Sequence, residues 1–464
     1  MMNDKSFHII TFGCQMNVLD SRWLGRSLRA RGWEETDEER ARVFIINTCS
    51  VREKPEQKVY SLIGRLERLK ERRPDAFGAV GGCVAQQLGA EMLERFPFVR
   101  MVFGTDQTGM VPDALDRMVE DPSVRLAYCD FEKGYPGRDT VLPDGVELSR
   151  HPGQAFVSIM QGCDNFCAYC IVPFVRGRQK SRPSREVLAE CRALVDRGVK
   201  EITLLGQNVN SFGLDAFGDG TAFAELLDRV AEIPGLKRLR FTTSHPKDIA
   251  DEVIEAFARH ENLCPHLHLP LQSGSDNMLA AMGRGYDTAR YLDIVQRLRL
   301  ARPNISLTSD IIVGFPGETE KDFQDTMSMV RKVGFESSFS FAYSDRPGTK
   351  ASRMPGKLTT EVKLERLKRL QALQEELTRF RLDASLGLET EVLVEGPSKK
   401  QKAGRVSWRG RDAFGRVVNF APIKHSADSN GETTGAEDLT GSLVKVRITA
   451  PKKHSLWGEA AGEP

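Results

Sequence analysis

The chain reads as an α/β protein in three parts: an N-terminal parallel α/β sheet domain, a central partial (β/α)6 barrel and a small C-terminal all-β barrel. Three observations predict this. Over residues 5–125, short apolar runs (FHIITFG, VFIINTC, FGAVGG, VRMVFG) alternate with amphipathic stretches such as NVLDSRWLGRSLRARG. That is strand–helix–strand repetition, which builds a parallel sheet covered on both faces. Over 155–345 the alternation resumes with AFVSIMQGC, EITLLGQN, RLRFTTSH, HLHLPLQS, SLTSDIIVGF and SSFSFAYS. Six β/α units are too few for a closed eight-stranded barrel and enough for an open one. From about residue 388 the pattern changes to short β-type runs (ETEVLVEGP, GRVSWRG, GRVVNFAP, GSLVKVRITAP) between Gly, Pro and Lys turns.

These changes of pattern put the first domain at 1–125, a Gly- and Pro-containing polar linker at 126–148, the barrel at 149–385 and the all-β domain at 386–455. The charged stretch 360–387 has apolar positions near helical spacing and is expected to pack against the barrel. At 464 residues, 40% hydrophobic and 28% charged, the chain can bury ordinary cores without staples. A net charge of +2 excludes a polycation, so any nucleic-acid surface must be a local patch. The N-terminus lacks a basic segment followed by a long apolar one, and no run of 18 apolar residues occurs. No membrane association and a cytoplasmic location are therefore expected. In that compartment the nine cysteines stay reduced and act as metal ligands, catalytic thiols or core packing.

Three of the nine lie in QGCDNFCAYC as Cys163, Cys167 and Cys170, spaced C-x3-C-x2-C. Scatter alone would give that spacing with a probability of about 0.003, so three unrelated core thiols are a poor account. A structural zinc site needs a fourth Cys or His to close its tetrahedron, and none flanks the motif. The next cysteine, Cys191, sits in a helical pattern. Three thiolates on a four-iron cluster would instead leave one iron open to a substrate or cofactor. The motif follows the first barrel strand, at the carboxyl end where β/α barrels put their chemistry.

Cys14, Cys49 and Cys83 each follow an apolar run of the first domain, at intervals of 35 and 34 residues, about one β/α unit apart. Each therefore lies at the carboxyl edge of a parallel strand, where open sheets bind ligands. Whether the three loops converge is left open, and three separate buried cysteines would satisfy the same pattern. Cys129, Cys191 and Cys264 have no such placement and are expected in cores. His266 and His268 alternate along one strand and share a face; they could be barrel-lining polar groups, although satisfied core histidines are the expectation.

The motif C-x3-C-x2-C at the first strand of a partial barrel resembles the radical S-adenosylmethionine superfamily. TFGCQMN (11–17), NTCSVRE (47–53) and GGCVAQ (81–86) look like the N-terminal cluster-binding domain of its methylthiotransferase family. MQGCDNFCAYCIVPFVRGR (160–178) looks like that family's radical motif, and the C-terminal domain like a TRAM RNA-binding module. FTTSHPKD (241–248), LLGQNVNSF (204–212) and HSLWGE (454–459) look most like the MiaB branch, which converts N6-isopentenyladenosine at tRNA position 37 to its 2-methylthio derivative. Ala168, where Thr is usual, and Arg22, where an acidic residue often follows "DS", depart from the pattern without touching a ligand.

The resemblance implies two 4Fe–4S clusters and S-adenosyl-L-methionine. One cluster, on Cys163, Cys167 and Cys170, would reduce S-adenosylmethionine to methionine and a 5′-deoxyadenosyl radical. The other, on Cys14, Cys49 and Cys83, would carry and donate sulfur, methylated by a second S-adenosylmethionine. Gly206, Gln207 and Asn208 would meet the methionine ammonium, Ser273 the ribose or the methionine carboxylate, and the backbone of Val313 and Gly314 the adenine. Lys399, Lys400, Lys402, Arg405, Arg409, Arg411 and Arg416 would neutralise tRNA phosphates, and Arg176 and Arg178 would meet an anionic substrate or cofactor. Trp408 could stack on a splayed base, although a place in the core is the expectation. An electron donor such as flavodoxin or ferredoxin and a monomeric state are also implied. Three alternatives stay open: methylthiolation of threonylcarbamoyladenosine in tRNA or of a ribosomal-protein aspartate, a non-catalytic iron–sulfur RNA-binding protein, and zinc-only structural sites.

Overall fold

The β-branched and aromatic runs of the first hundred residues become strands, because extended backbone packs such side chains well on a sheet buried on both faces. The structure is a computed structural model and describes residues 5–50, 53–136, 152–399, 406–422 and 438–461. Its first sheet contains β1 (Ser6–Thr11), β2 (Glu34–Glu35), β3 (Val43–Thr48), β4 (Phe77–Gly82), β5 (Val99–Phe103) and β6 (Leu126–Tyr128). All pair in parallel, in the spatial order 2-1-3-4-5-6. Helices α1 (Gln15–Ala30), α2 (Glu53–Glu67), α3 (Cys83–Leu88), α4 (Glu91–Arg95) and α5 (Val111–Glu120) connect them. Alternation along β3 feeds two cores: Val43 and Ile45 pack with Leu24, Leu28 and Leu115, while Phe44 and Ile46 pack with Val59, Ile63 and Leu66.

Two edge strands were not anticipated. β2 is a pair of exposed glutamates with no apolar signal, and β6 is a three-residue piece inside the stretch read as linker. Residues 137–148, the last part of that linker, lie outside the described residues.

The second unit contains β7 (Gln154–Ser158), the short β8 (Met160–Gln161) and β9 (Lys180–Ser181), then β10 (Glu201–Leu205), β11 (Arg238–Thr242), β12 (His266–His268), β13 (Ser306–Val313) and β14 (Ser337–Ala342). Parallel pieces ordered β11-β10-β7 and β12-β13-β14 meet at a parallel bridge between Leu239 and Leu263, giving an open six-stranded barrel wall. The helices are α6 (Val172–Val175), α7 (Ser184–Asp196), α8 (Phe223–Ala231), α9 (Asp251–Arg259), α10 (Asp276–Ala281), α11 (Thr288–Ala301) and α12 (Glu320–Val333). A single core of Leu204, Leu239, Leu267 and Ile311 against Leu226, Phe257, Leu298 and Val330 joins strands to helices.

The long helix α13 (Thr360–Asp383) buries Leu370 and Leu373 in that core. Its Arg366 pairs with buried Glu318 at 2.6 Å, and its Leu382 enters the core of the last domain. There β15 (Glu389–Pro397), β16 (Trp408–Asp412), β17 (Val417–Ala421), β18 (Leu443–Pro451) and β19 (Leu456–Ala460) close into a five-stranded barrel, which removes exposed edges. Trp408 packs inside it with Val392, Val418 and Phe420. Arg238 and Arg240 of β11 hold this barrel, donating to the carbonyls of Glu391, Arg411 and Asp412 at 2.6–3.0 Å.

The first two units dock through a buried ion pair. Asp106 accepts from Lys180 Nζ, from Gln161 Nε2 and, at 2.9 Å, from the backbone N–H of Glu132. Both charged side chains are almost fully buried. Removing one member leaves the other charge stranded, at a cost of about 3–5 kcal/mol. Asp106→Asn is expected to lower the first urea unfolding transition accordingly, whereas Asp106→Leu with Lys180→Met should restore most of the loss.

Candidate active site

The strand β7 passes through Ile159 into β8, whose antiparallel ladder with β9 clamps the loop 162–179 at both ends. Gly162 makes this closure possible: its φ is +80°, and a Cβ there would collide with the carbonyl of Arg178. Inside the loop, Cys163 N–H donates to Gly177 O at 3.3 Å and Cys170 N–H to Cys167 O at 2.9 Å. Ala168 N–H donates to Met282 O at 2.8 Å, pinning the loop to the barrel. Cys163, Cys167 and Cys170 are thereby held on one short, fixed segment.

Two side chains from distant elements meet this trio. Arg284 Nη1 lies 3.3 Å from Cys167 Sγ, and His245 Nε2 lies 3.9 Å from the same sulfur. Arg284 is 4% exposed, and its other partners are the hydroxyls of Tyr169 and Tyr286 and the carbonyl of Pro270. Among the described residues no carboxylate pairs with it. A buried guanidinium without a counter-charge is strongly unfavourable, so this pocket calls for an anionic occupant held by the three sulfurs. Burial, reinforced by Cys167, pushes the Cys170 thiol up to about 12, and burial raises Cys163 as well. These groups are thiols until a metal displaces their protons. Burial, with Arg284 and Lys247 nearby, pushes His245 down to about 2, so its imidazole stays neutral.

The residues expected around S-adenosylmethionine fall into two groups. Gln207 Oε1 accepts from Gly162 N–H at 2.6 Å, tying the end of β10 to the cysteine loop, and Gly206 precedes it beside Met160. Asn208 donates to Asp248 at 2.7 Å while its Oδ1 is buried without a partner, an acceptor available to a ligand ammonium. Val313 is buried, and Gly314 N–H is taken by Glu318 Oε2 at 2.7 Å, which leaves only carbonyl and apolar contacts there. Ser273 is fully buried, with its hydroxyl 3.2 Å from that of Thr326 of α12.

The second trio sits where the first sheet reverses its winding. The order 2-1-3-4 makes the crevice between β1 and β3 a topological switch point, and Cys14, Cys49 and Cys83 follow β1, β3 and β4. Gly13 has φ +109°, and a Cβ there would run into the Cys49 side chain, so the loops bearing Cys14 and Cys49 are in direct contact. Asn17 locks the same two loops by donating to Phe12 O at 2.8 Å and Thr48 O at 2.7 Å. Cys14 is exposed, whereas Cys49 and Cys83 are buried.

The sequence places Arg176 against an anionic substrate or cofactor and groups it with the RNA-facing cations. It is 3% exposed and reaches away from solvent into this second site, on the side of a cofactor. Arg178 stays outside, 71% exposed, paired with Asp164 at 2.6 Å and lying over the Phe166 ring. Cys191 and Cys264 are buried, and Cys129 packs at the edge of a core.

A cavity of about 1030 Å³ opens between the three units. Gln15 and Arg22 of α1 line one side, the barrel strands line the middle, and Arg409 and Arg411 line the other. His266 and His268 face this cavity, which corrects their reading as core histidines. His268 Nδ1 bonds Thr308 at 3.0 Å, and burial with Arg240 nearby lowers His266 to about 3. Arg409 and Arg411 share the single carboxylate of Glu395, at 3.8 and 2.9 Å, leaving one net positive charge. Arg416 pairs with buried Asp412, and Lys399 is exposed. Lys400, Lys402 and Arg405 lie outside the described residues.

Comparison with known proteins agrees with this geometry. Residues 6–104 match the Uncharacterized protein family UPF0004, and residues 157–330 match the Radical SAM superfamily. A tRNA-2-methylthio-N(6)-dimethylallyladenosine synthase of Nitratidesulfovibrio vulgaris is 58% identical over 463 residues, spanning all of both chains. The chain belongs to this synthase family. Members from Oleidesulfovibrio alaskensis, 54% identical over the whole of both chains, and Geobacter sulfurreducens, 46% identical over 99% of this chain and 98% of that one, are also similar. In fold, the chain resembles a radical S-adenosylmethionine methyltransferase, TsrM, from Kitasatospora setae, at TM-score 0.55 and 15% identity over 75% of each chain. Like other synthases of the family, the protein is a radical S-adenosylmethionine methylthiotransferase, and the family implies a 4Fe–4S cluster and S-adenosylmethionine.

The donor set fits such a cluster. Three thiols on one short segment, a glycine-closed loop and a buried cation at the sulfur are what a three-anchored anionic group requires. Sequence reasoning missed Arg284, His245, Tyr169 and Asn17. His245 lay inside a quoted motif, but nothing in the spacing links it to a cysteine 78 positions earlier.

Proposed function

We propose that the protein methylthiolates C2 of N6-isopentenyladenosine at position 37 of tRNA, using two 4Fe–4S clusters and S-adenosylmethionine. The observation that carries the proposal is the pair of cysteine trios at strand ends of two docked domains. Full-length similarity to synthases named for the dimethylallyladenosine substrate favours this target over threonylcarbamoyladenosine or a protein aspartate.

When bound, the clusters and S-adenosylmethionine supply the radical and the sulfur that an unreactive aromatic C–H demands. The chain's own side chains position and shield. Cys163, Cys167 and Cys170 hold one cluster with Arg284 as counter-charge, and Cys14, Cys49 and Cys83 hold the other. Asn208 Oδ1 accepts from the methionine ammonium, while Gly206 and Gln207 keep the strand end against the cysteine loop. The backbone at Val313 and Gly314 flanks the adenine. Arg178, Lys399, Arg409 and Arg411 neutralise phosphates, with affinity that weakens as salt rises. Among the described residues no helix is long and apolar enough to cross a membrane. A cytoplasmic monomer reduced by a flavodoxin or ferredoxin completes the reading.

The test is nucleoside analysis after anaerobic incubation of the protein with S-adenosylmethionine, a reductant and tRNA containing isopentenyladenosine. Formation of the 2-methylthio nucleoside is expected. Unchanged nucleoside without 5′-deoxyadenosine would favour a non-catalytic iron–sulfur protein, and modification of threonylcarbamoyladenosine alone would reject the target.

A further inference from the structure

Arg176 belongs to the barrel's cysteine loop by sequence and to the other cysteine trio by position. The short helix α6 ends on it, with Arg176 N–H donating to Val172 O at 2.8 Å. Ile171 and Val175, on either side of that turn, pack directly on Cys83 of the first domain. The guanidinium is thereby carried across the domain boundary. Its Nη2 donates to Asn17 Oδ1 at 2.8 Å and lies 3.5 Å from Asp20 Oδ2. The same Asn17 Oδ1 is 3.6 Å from Cys14 Sγ, so one carboxamide touches both the arginine and a cysteine of the trio. Nη1 is buried and has no hydrogen-bond partner. A buried donor left unpaired beside two thiols costs free energy unless a ligand completes it.

We propose that Arg176 is a positioning residue for the second site: held by its buried ion pair with Asp20, it turns the cationic end of that pair and a free N–H toward the anionic group held by Cys14, Cys49 and Cys83. The inference rests on the two-cluster reading above. A cation held in a low-dielectric pocket stabilises the more negative, reduced state of an adjacent cluster, and charge and hydrogen bonding near the sulfurs are known levers on its potential. Because the arginine comes from the barrel loop, the second cluster receives this charge only when the two domains are docked. Sulfur delivery, but not radical generation, then depends on this docking.

The experiment uses the full chain carrying Cys163→Ala, Cys167→Ala and Cys170→Ala, so that only the N-terminal trio can hold iron. Anaerobic reconstitution with iron and sulfide should load one cluster; no loading of this parent would refute the two-cluster reading itself. In the loaded parent, Arg176→Gln and Arg176→Lys are compared by redox titration followed by electron paramagnetic resonance. The expected result is at least a tenfold shift of the one-electron equilibrium toward the oxidised form in the Gln variant, about 59 mV, and less than half of that in the Lys variant. Loading of the Lys variant but not the Gln variant would also support the proposal. Equal potentials in all three proteins, equal shifts in both variants, or failure of both to load iron would overturn it, since charge would then not be the property that matters.

Discussion

Changing Cys163 to alanine is expected to abolish 5′-deoxyadenosine formation and to remove about half of the iron from the anaerobic protein. The loop that carries it has no spare ligand. Cys167 and Cys170 are its neighbours on the same clamped segment, and His245, at 3.9 Å from Cys167 Sγ, already uses its Nδ1 to accept from Lys247 N–H at 3.2 Å. With two anchors the cluster is under-held, and the buried Arg284 loses the anion that balances it. Loss of outer partners of metal sites alone costs about 10–100-fold, so loss of a ligand is expected to exceed that. Retained 5′-deoxyadenosine at even a tenth of the parent rate would mean that the trio is not the radical site.

Cys49→Ala is expected to leave 5′-deoxyadenosine production within a few-fold of the parent while no methylthio nucleoside forms. The reason is the separation of labour between two folding units. The barrel's cysteine loop is held by its own ladder, by Met282 and by Gln207, none of which depends on Cys49. Cys49 instead sits at the switch point of the first sheet, packed on Gly13. Its loss opens the N-terminal trio without disturbing the barrel. Methylthiolated product from this variant, measured by nucleoside analysis, would show that the second trio does not deliver sulfur. The two variants together distinguish a shared site from two independent ones.

Some of this architecture was legible because it is local. Apolar runs ending in Gly-Cys or Thr-Cys mark β1, β3 and β4 turning at their carboxyl ends, and their spacing marks the β/α repeat. The six barrel strands and four of the five strands of the C-terminal barrel follow from the same periodicities, whereas β19 lies past the expected domain end at residue 455. The edge strands escaped because β2 is two charged residues and β6 only three, too short for a period to register.

From its order of residues alone, this chain already declares two trios of thiols at strand ends, since backbone geometry and hydrophobic period are properties of neighbouring residues. Only the folded arrangement decides what surrounds them. Arg284 approaches Cys167 from 117 positions away, and Arg176, beside one motif in sequence, serves the other in space. His266 and His268 turn to a cavity, while the Ser273 hydroxyl meets Thr326 of a helix. The direction of a side chain across an interface is set by the packing of whole elements against one another, and no local pattern encodes that.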